Sequence, residues 1–329
     1  MNEATYQRYA FIAMMAFFVL APLFIYPVFL MKVLCFALFA CAFNLLIGFG
    51  GLLSFGHAMF LGMAGYVAAY TAKSGVQIAA LKVFGATIPL GIHIPPLPFE
   101  LALLTAVAVT ALLGYLTGLL AIRRQGIYFA MTTLALAQMV FFFCVQAPFT
   151  GGEDGIQAVP RGRLFGLIDL GEPMSMYFTV LAIFLGCFLM IYRIIRSPFG
   201  EVLKAIRENE TRAISLGYKT DRYKLVAFVL SATFAGVAGA TKAIVFQLAS
   251  LTDVHWSTSG EVVLITLVGG LGTMFGPAVG ALIIVAMQNY LASFGAWSTV
   301  TQGAIFIVCV SLMREGIVGL VQKWTGRDL

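Results

Sequence analysis

The sequence predicts an all-α polytopic membrane protein with about ten transmembrane or re-entrant helices and both termini cytoplasmic. Three observations lead there. Of the 329 residues, 61% are hydrophobic and 10% charged, with a mean hydropathy of +0.97; a soluble domain is roughly half apolar and a quarter charged. Charge-free runs at 9–31, 33–72, 101–122, 125–152, 173–192, 225–241 and 262–313 meet or approach the ~20 residues that cross about 30 Å of hydrocarbon. Finally, 12 of the 34 charged residues are gathered in one island, Arg193–Lys224, between two apolar runs.

On the length criterion, spans are expected at 10–31, 33–50, 52–72, 101–122, 126–148, 176–193, 225–247, 260–275, 277–294 and 297–313. The first is too long for the apolar core of a signal peptide, contains Pro22 and Pro27, and lacks a small-x-small cleavage site before Lys32, so it reads as a retained helix. Gly48, Gly50 and Gly51 divide the run 33–72. GGLGTMFGP (269–277) and SFGAW (293–297) divide the last run, leaving 260–275 short enough to be re-entrant. Cys35, Cys41, Cys144, Cys187 and Cys309 all fall inside expected helices without CxxC or His/Cys spacing, which assigns them to packing and leaves no metal ligand.

Orientation follows from the basic residues, because short cytoplasmic loops retain Lys and Arg. The island holds eight, Arg193, Arg196, Lys204, Arg207, Arg212, Lys219, Arg222 and Lys224, against four acids. Arg123, Arg124 and the tail with Arg314, Lys323 and Arg327 fall on the same side, while the loop 150–175 carries Glu153, Asp154, Asp169 and Glu172 against Arg161 and Arg163. An even number of crossings then places both termini inside. The net charge of +6 is explained by this topology and requires no nucleic acid partner.

An enzyme reading finds no support, since HExxH, GxSxG and clustered metal ligands are all missing from the sequence and no catalytic residue is expected. Without GxxxxGK[ST] the chain binds no ATP by a P-loop; if it pumps, another subunit supplies the nucleotide chemistry. Ionisable residues at membrane depth are few. Lys242 reads as a side chain snorkelling to the outer interface, Glu261 as an anion at a helix N-terminus, and His57 is the one histidine inside an expected span. No Asp/Glu/His chain resembles a proton relay.

Two segments carry most of the information. In NLLIGFGGLLSFGHAMFLGMAGY (44–66), the glycines permit two arrangements. In one, a helix broken at membrane depth lines a substrate path: a half-helix beginning near Ser54 aims its free N–H groups at an anion such as a carboxylate, Gly51 and Gly56 admit close backbone approach, and Asn44, Ser54 and His57 orient the ligand. In the other, the glycines serve tight helix packing and His57 bonds a neighbouring carbonyl. GGLGTMFGPAVG (269–280) echoes the motif, as an internal repeat or as generic glycine-rich packing.

The second segment is the island. After Pro198 and Gly200, EVLKAIRENE (201–210) forms a short helix with Val202, Leu203 and Ile206 on one side and a Lys204–Glu208 pair at i,i+4. Ala213 and Gly217 follow one turn apart, small enough for another surface to approach. A short amphipathic helix between two spans suits a groove on a partner. A helix resting on anionic lipid explains the basic residues but not the acids or the Gly217 turn.

The pattern Glu210, Ala213, Gly217 followed by DRYKLVAFVLSATFAGVAGA (221–240) resembles the cytoplasmic coupling segment of binding-protein-dependent ABC importers. With GFGGLLSFGHAMFLGMAGYVAA (48–69) and FTGGEDGI (149–156), it is similar to the LivM-type permease of high-affinity branched-chain amino acid import, over about residues 33–315. Thr211–Arg212 departs from the general pattern, which favours Ala after Glu. The resemblance implies a single permease domain over 1–329 in a bacterial inner membrane, with 193–224 as the cytoplasmic coupling loop and 150–175 as a periplasmic loop. Arg207, Glu210, Ala213 and Gly217 are then the ATPase-coupling residues. The implied partners are a second homologous permease, two cytoplasmic ATPases that bind ATP and Mg, a periplasmic substrate-binding protein and lipid, with no cofactor in this chain. Leucine, isoleucine or valine is the implied substrate. Related permeases take urea, short amides or other amino acids, and a stand-alone secondary transporter is the reading that needs no partner.

Overall fold

The computed structural model describes residues 3–78, 81–83, 86–88, 92–291, 300–301, 303–304, 307 and 316–325. The helices are α1 (Glu3–Leu20), α2 (Pro27–Asn44), α3 (His57–Ser74), α4 (Phe99–Ala121), α5 (Ile127–Gln146), α6 (Pro173–Ile195), α7 (Pro198–Glu208), α8 (Glu210–Ser215), α9 (Thr220–Phe246), α10 (Trp256–Gly269), α11 (Gly276–Leu291) and α12 (Gly316–Thr325). A π-helical turn, Leu45–Phe49, continues α2. Among the described residues, five helices are long and apolar enough to cross a membrane: Pro27–Phe49, Phe99–Ala121, Ile127–Gln146, Pro173–Ile195 and Thr220–Phe246. Tyr9–Leu23 and Gly276–Leu291 are shorter apolar helices. The strands are pairs of two or three residues in the connections.

Burial sorts the helices. The apolar window of α2 is 89% buried and that of α9 72%, against 28% for α4 and for α5. α2 and α9 are therefore the centre, with α6, α10 and α11 packed on α2 and with α3 and α4 packed on α9. α4 and α5 expose Leu104, Leu112, Leu120, Met131 and Met139 outwards, the apolar surface a bilayer covers. Thr110, Thr117, Thr233, Thr241 and Thr266 each donate to the carbonyl one turn back, which satisfies a hydroxyl where water is absent. Small residues close the crossings: a Cβ on Gly239 of α9 would meet the Leu61 carbonyl oxygen of α3 at 1.9 Å.

The bundle has two polar ends. One gathers the island and the connections before α3 and α11, with α12 beside them, since a Cβ on Gly316 would meet Gly270 at 2.4 Å. The other gathers the loop after α5 and the α9–α10 connection. There Ile156–Gln157 pairs with Leu248–Ala249, and Lys73 at the end of α3 donates to the Gln157 carbonyl at 2.7 Å.

Several boundaries differ from the sequence expectation. The first break lies at residues 21–26, not at Lys32: Pro22 sits in a 3-10 turn, Pro27 opens α2 where a missing N–H costs nothing, and Lys32 is carried inside the helix. α3 begins at His57 instead of 52, because Gly51–Gly56 stays non-helical. α9 begins at Thr220, so the end of the charged island is its first turns. α12 was not expected, and the expected span 297–313 lies for most of its length outside the described residues.

Candidate functional site: a joint between two glycine-rich breaks

The last four carbonyls of a helix have no partner within it. At the end of α2 the chain widens into the π turn and then leaves helical geometry at Gly51, whose φ is +69°. The second break, between α10 and α11, turns at Gly270 and Gly272 with φ of 121° and 75°. Asn44 joins the two. Its Nδ2 donates to the Thr273 carbonyl at 2.9 Å and its Oδ1 accepts the Gly272 N–H at 3.0 Å. Both bonds are local to the breaks, and Asn44 is buried.

Arg207 of α7 completes the joint. Its Nη1 donates to the Gly48 carbonyl, and a Cβ on Gly51 would lie 2.8 Å from its Cγ. A Cβ on Gly272 would lie 3.3 Å from the same Nη1. The guanidinium thus satisfies an orphaned carbonyl at a helix C-terminus, where the dipole also favours a cation. One island side chain bonds the first break and lies beside the second.

Ser54, Gly56 and His57 lie deeper. Ser54 Oγ accepts the Gly56 N–H at 3.3 Å, and a Cβ on Gly56 would meet the Thr133 carbonyl oxygen of α5 at 2.5 Å. The Ala58 N–H, in the first turn of α3, donates to Ser259 Oγ of α10 at 2.9 Å. His57 is fully buried with Nε2 2.7 Å from Ser231 Oγ, which itself donates to the Ala42 carbonyl at 2.5 Å. The imidazole stands edge-on to Phe43, Phe60 and Phe228, and its Nδ1 has no hydrogen-bond partner among the described residues. The histidine reaches a carbonyl through a hydroxyl instead of directly.

The remaining coupling candidates stand apart from Arg207. Glu210 pairs with Lys224 of α9 and accepts from Gln125 at 3.3 Å, which pins α8 to the bundle. Asn209 caps α8 by accepting the Arg212 N–H at 3.0 Å. Ala213 is buried, whereas Gly217 has φ +90° and, among the described residues, nothing within 4 Å of a Cβ position. Around it Ile214, Leu216 and Tyr218 are 54%, 70% and 42% exposed. Leu203 and Ile206 face inwards as expected, but Lys204 pairs with Glu201 at 2.9 Å, not with Glu208. Glu201 lies in the first turn of α7, where the dipole favours a carboxylate, and Glu208 at its last residue.

Two sequence readings of membrane-depth charges are corrected. Lys242 does not simply snorkel: it pairs with Asp253 in the α9–α10 connection and lies over the Phe36 ring at 5.2 Å. Glu261 is no N-terminal anion, because α10 begins at Trp256; it accepts from Gln288 of α11 at 2.6 Å. These partners lie on different elements, and the available signal was that Lys242, Asp253 and Glu261 cluster about the same connection.

Comparison with known proteins agrees with this architecture. Residues 26–310 match the family model described as branched-chain amino acid transport system / permease component. The chain is 26% identical over 302 residues to the high-affinity branched-chain amino acid transport system permease proteins LivM of Salmonella typhimurium and of Escherichia coli, covering 85% of this chain and 66% of each relative, a little under two thirds of their length. It is also 28% identical over 202 residues to the ribose import permease protein RbsC of Bacillus subtilis, covering 55% of this chain and 58% of that one. No solved structure gives a significant match. With the family model spanning residues 26–310 of this helical, lipid-suited bundle, the chain belongs to the permease components of branched-chain amino acid transport systems.

Proposed function

We propose that this chain is the transmembrane permease subunit of an ATP-driven, binding-protein-dependent importer of branched-chain amino acids. The observation that carries the reading is Arg207, through which the island helix bonds the break before α3 and lies beside the break before α11, itself tied to the first by Asn44. A partner that moves α7 and α8 would move both connections, and with them α2, α3, α10 and α11. That is what an energised permease needs if ATP is hydrolysed elsewhere, since a ligand or nucleotide shifts a conformation only through contacts that differ between states.

The partners are a second homologous permease, two cytoplasmic ATPases carrying ATP and Mg, and a periplasmic substrate-binding protein, assembled in the bacterial inner membrane. The exposed Ile214, Leu216 and Tyr218 around the open Gly217 suit a groove on an ATPase. The loop 150–175 at the opposite end meets the binding protein. Ten crossings with both termini on the island side fit helices that run alternately between the two polar ends. Segment 44–57, with Asn44, Gly51, Ser54, Gly56 and His57, forms the moving wall of the substrate path. Branched-chain substrates are favoured over sugars because the LivM match covers 85% of the chain and the ribose permease match 55%.

The test is reconstitution with the candidate partners. Leucine uptake into proteoliposomes that requires ATP, both ATPases and the binding protein supports the reading. Uptake by this chain alone, driven by an ion gradient, would replace it with a secondary carrier.

A further inference from the structure

The two corrected charges belong to a larger group. Lys32 lies in the second turn of α2, Lys242 in the last two turns of α9, Glu261 in the second turn of α10 and Gln288 in the last turn of α11, with Asp253 in the connection between α9 and α10. α2, α10 and α11 pack on one another and α2 on α9, so these residues form one layer near the bundle end opposite the island. Lys32 lies within electrostatic reach of Glu261, Lys242 and Asp253.

The pairing within the layer is incomplete. Lys242 is matched by Asp253. Glu261 has a neutral partner, Gln288, and Lys32 has neither an ion pair nor a hydrogen bond among the described residues. Two opposite charges are left at membrane depth, near each other but not joined, where an uncompensated charge is expensive. Among the described residues the layer is partly open: Lys32, Lys242, Asp253 and Glu261 are each half-buried, and Gly260 beside Glu261 has no described atom within 4 Å of a Cβ position.

We propose that Lys32 and Glu261 form a receiving site for the zwitterionic head of an α-amino acid, with the ligand carboxylate on Lys32 and its ammonium on Glu261. An α-amino acid carries both charges on one carbon, so a single ligand completes both partners and leaves the layer neutral. The Lys242–Asp253 pair is a fixed neighbour whose cation, held over Phe36, discourages collapse of Lys32 towards Asp253. The site takes any side chain its apolar surroundings admit, and it deepens the proposed function, on which it rests.

The experiment uses the complete transporter in proteoliposomes. Lys32→Cys is labelled with a membrane-impermeant methanethiosulfonate in the presence of leucine, leucinamide or 4-methylpentanoate, with the wild-type chain as the background control. Leucine is expected to slow labelling severalfold, while the amide, which lacks the carboxylate, and the acid, which lacks the ammonium, leave it unchanged. Lys32→Met and Glu261→Gln are expected to lower maximal leucine uptake about tenfold, the scale of one lost charge-assisted contact, with Lys32→Arg retaining it. Labelling that ignores leucine, labelling slowed equally by all three compounds, or wild-type uptake in both neutral variants overturns the site while ATP-dependent leucine uptake leaves the permease reading intact. A wild-type transporter that takes up no amino acid removes both.

Discussion

At Gly48 an added methyl would sit 2.7 Å from the Gly272 amide nitrogen, whereas at Gly217 no described residue lies within 4 Å of the same position. The first glycine is required by contact inside the chain. The second is required by its φ of +90° and opens onto a surface where Ile214, Leu216 and Tyr218 are exposed. Asn44 and Arg207 fill hydrogen bonds of the glycine-rich joint from within this chain, while the tip of the island leaves apolar side chains exposed, the surface proposed above for an ATPase. Changes at the joint should damage the fold or the motion, and changes at the tip should damage assembly.

The largest effect tests the packed side of that contrast. Gly239→Leu forces a side chain into the Leu61 carbonyl and should cost about 3 kcal/mol or more, read as loss of the chain from the membrane fraction and of a monodisperse detergent peak. Normal accumulation would mean that the α3–α9 crossing is looser than described. At the tip, Gly217→Arg should leave accumulation normal while uptake falls at least about tenfold and the ATPases no longer co-purify. Leu216→Glu separates docking from backbone strain, since it leaves the glycine in place; equal assembly of this variant and the wild type would show that the exposed tip is not an interface. Within the joint, Asn44→Leu removes two hydrogen bonds between the breaks and should lower stability by about 2–3 kcal/mol, measured as a drop in the melting temperature of the purified chain. The smallest effect is expected at Ser231→Ala, which deprives His57 of its hydroxyl partner at a cost of about 1 kcal/mol and should alter uptake kinetics without preventing assembly.

Much of the architecture was legible in the sequence for definite reasons. α4, α5 and α6 end within a few residues of the expected limits, because charges, glycine or proline flank each apolar run. The two glycine-rich breaks were visible as glycine clusters, and the island as charge. What failed was the assumption that a charge marks a helix end. Lys32 lies inside α2 because the helix already opens at Pro27, and no local pattern shows that Asp253 and Glu261 come within electrostatic reach of it from other elements. The same limitation hid the role of Arg207: amphipathicity placed Leu203 and Ile206 inwards, but a contact with Gly48, 159 residues away, belongs to the tertiary fold. Asn44 was singled out as a ligand-orienting residue, and its observed partners are the backbone groups of the second break.

The central claim is that the island helix drives both breaks through Arg207. It is tested most directly by the ratio of leucine transported to ATP hydrolysed in the reconstituted complex carrying Arg207→Met, which keeps the apolar stem against Gly51 and removes the donor to Gly48. The account predicts an assembled complex that hydrolyses ATP and transports at least about tenfold less leucine per ATP. A ratio equal to that of the wild type would contradict it.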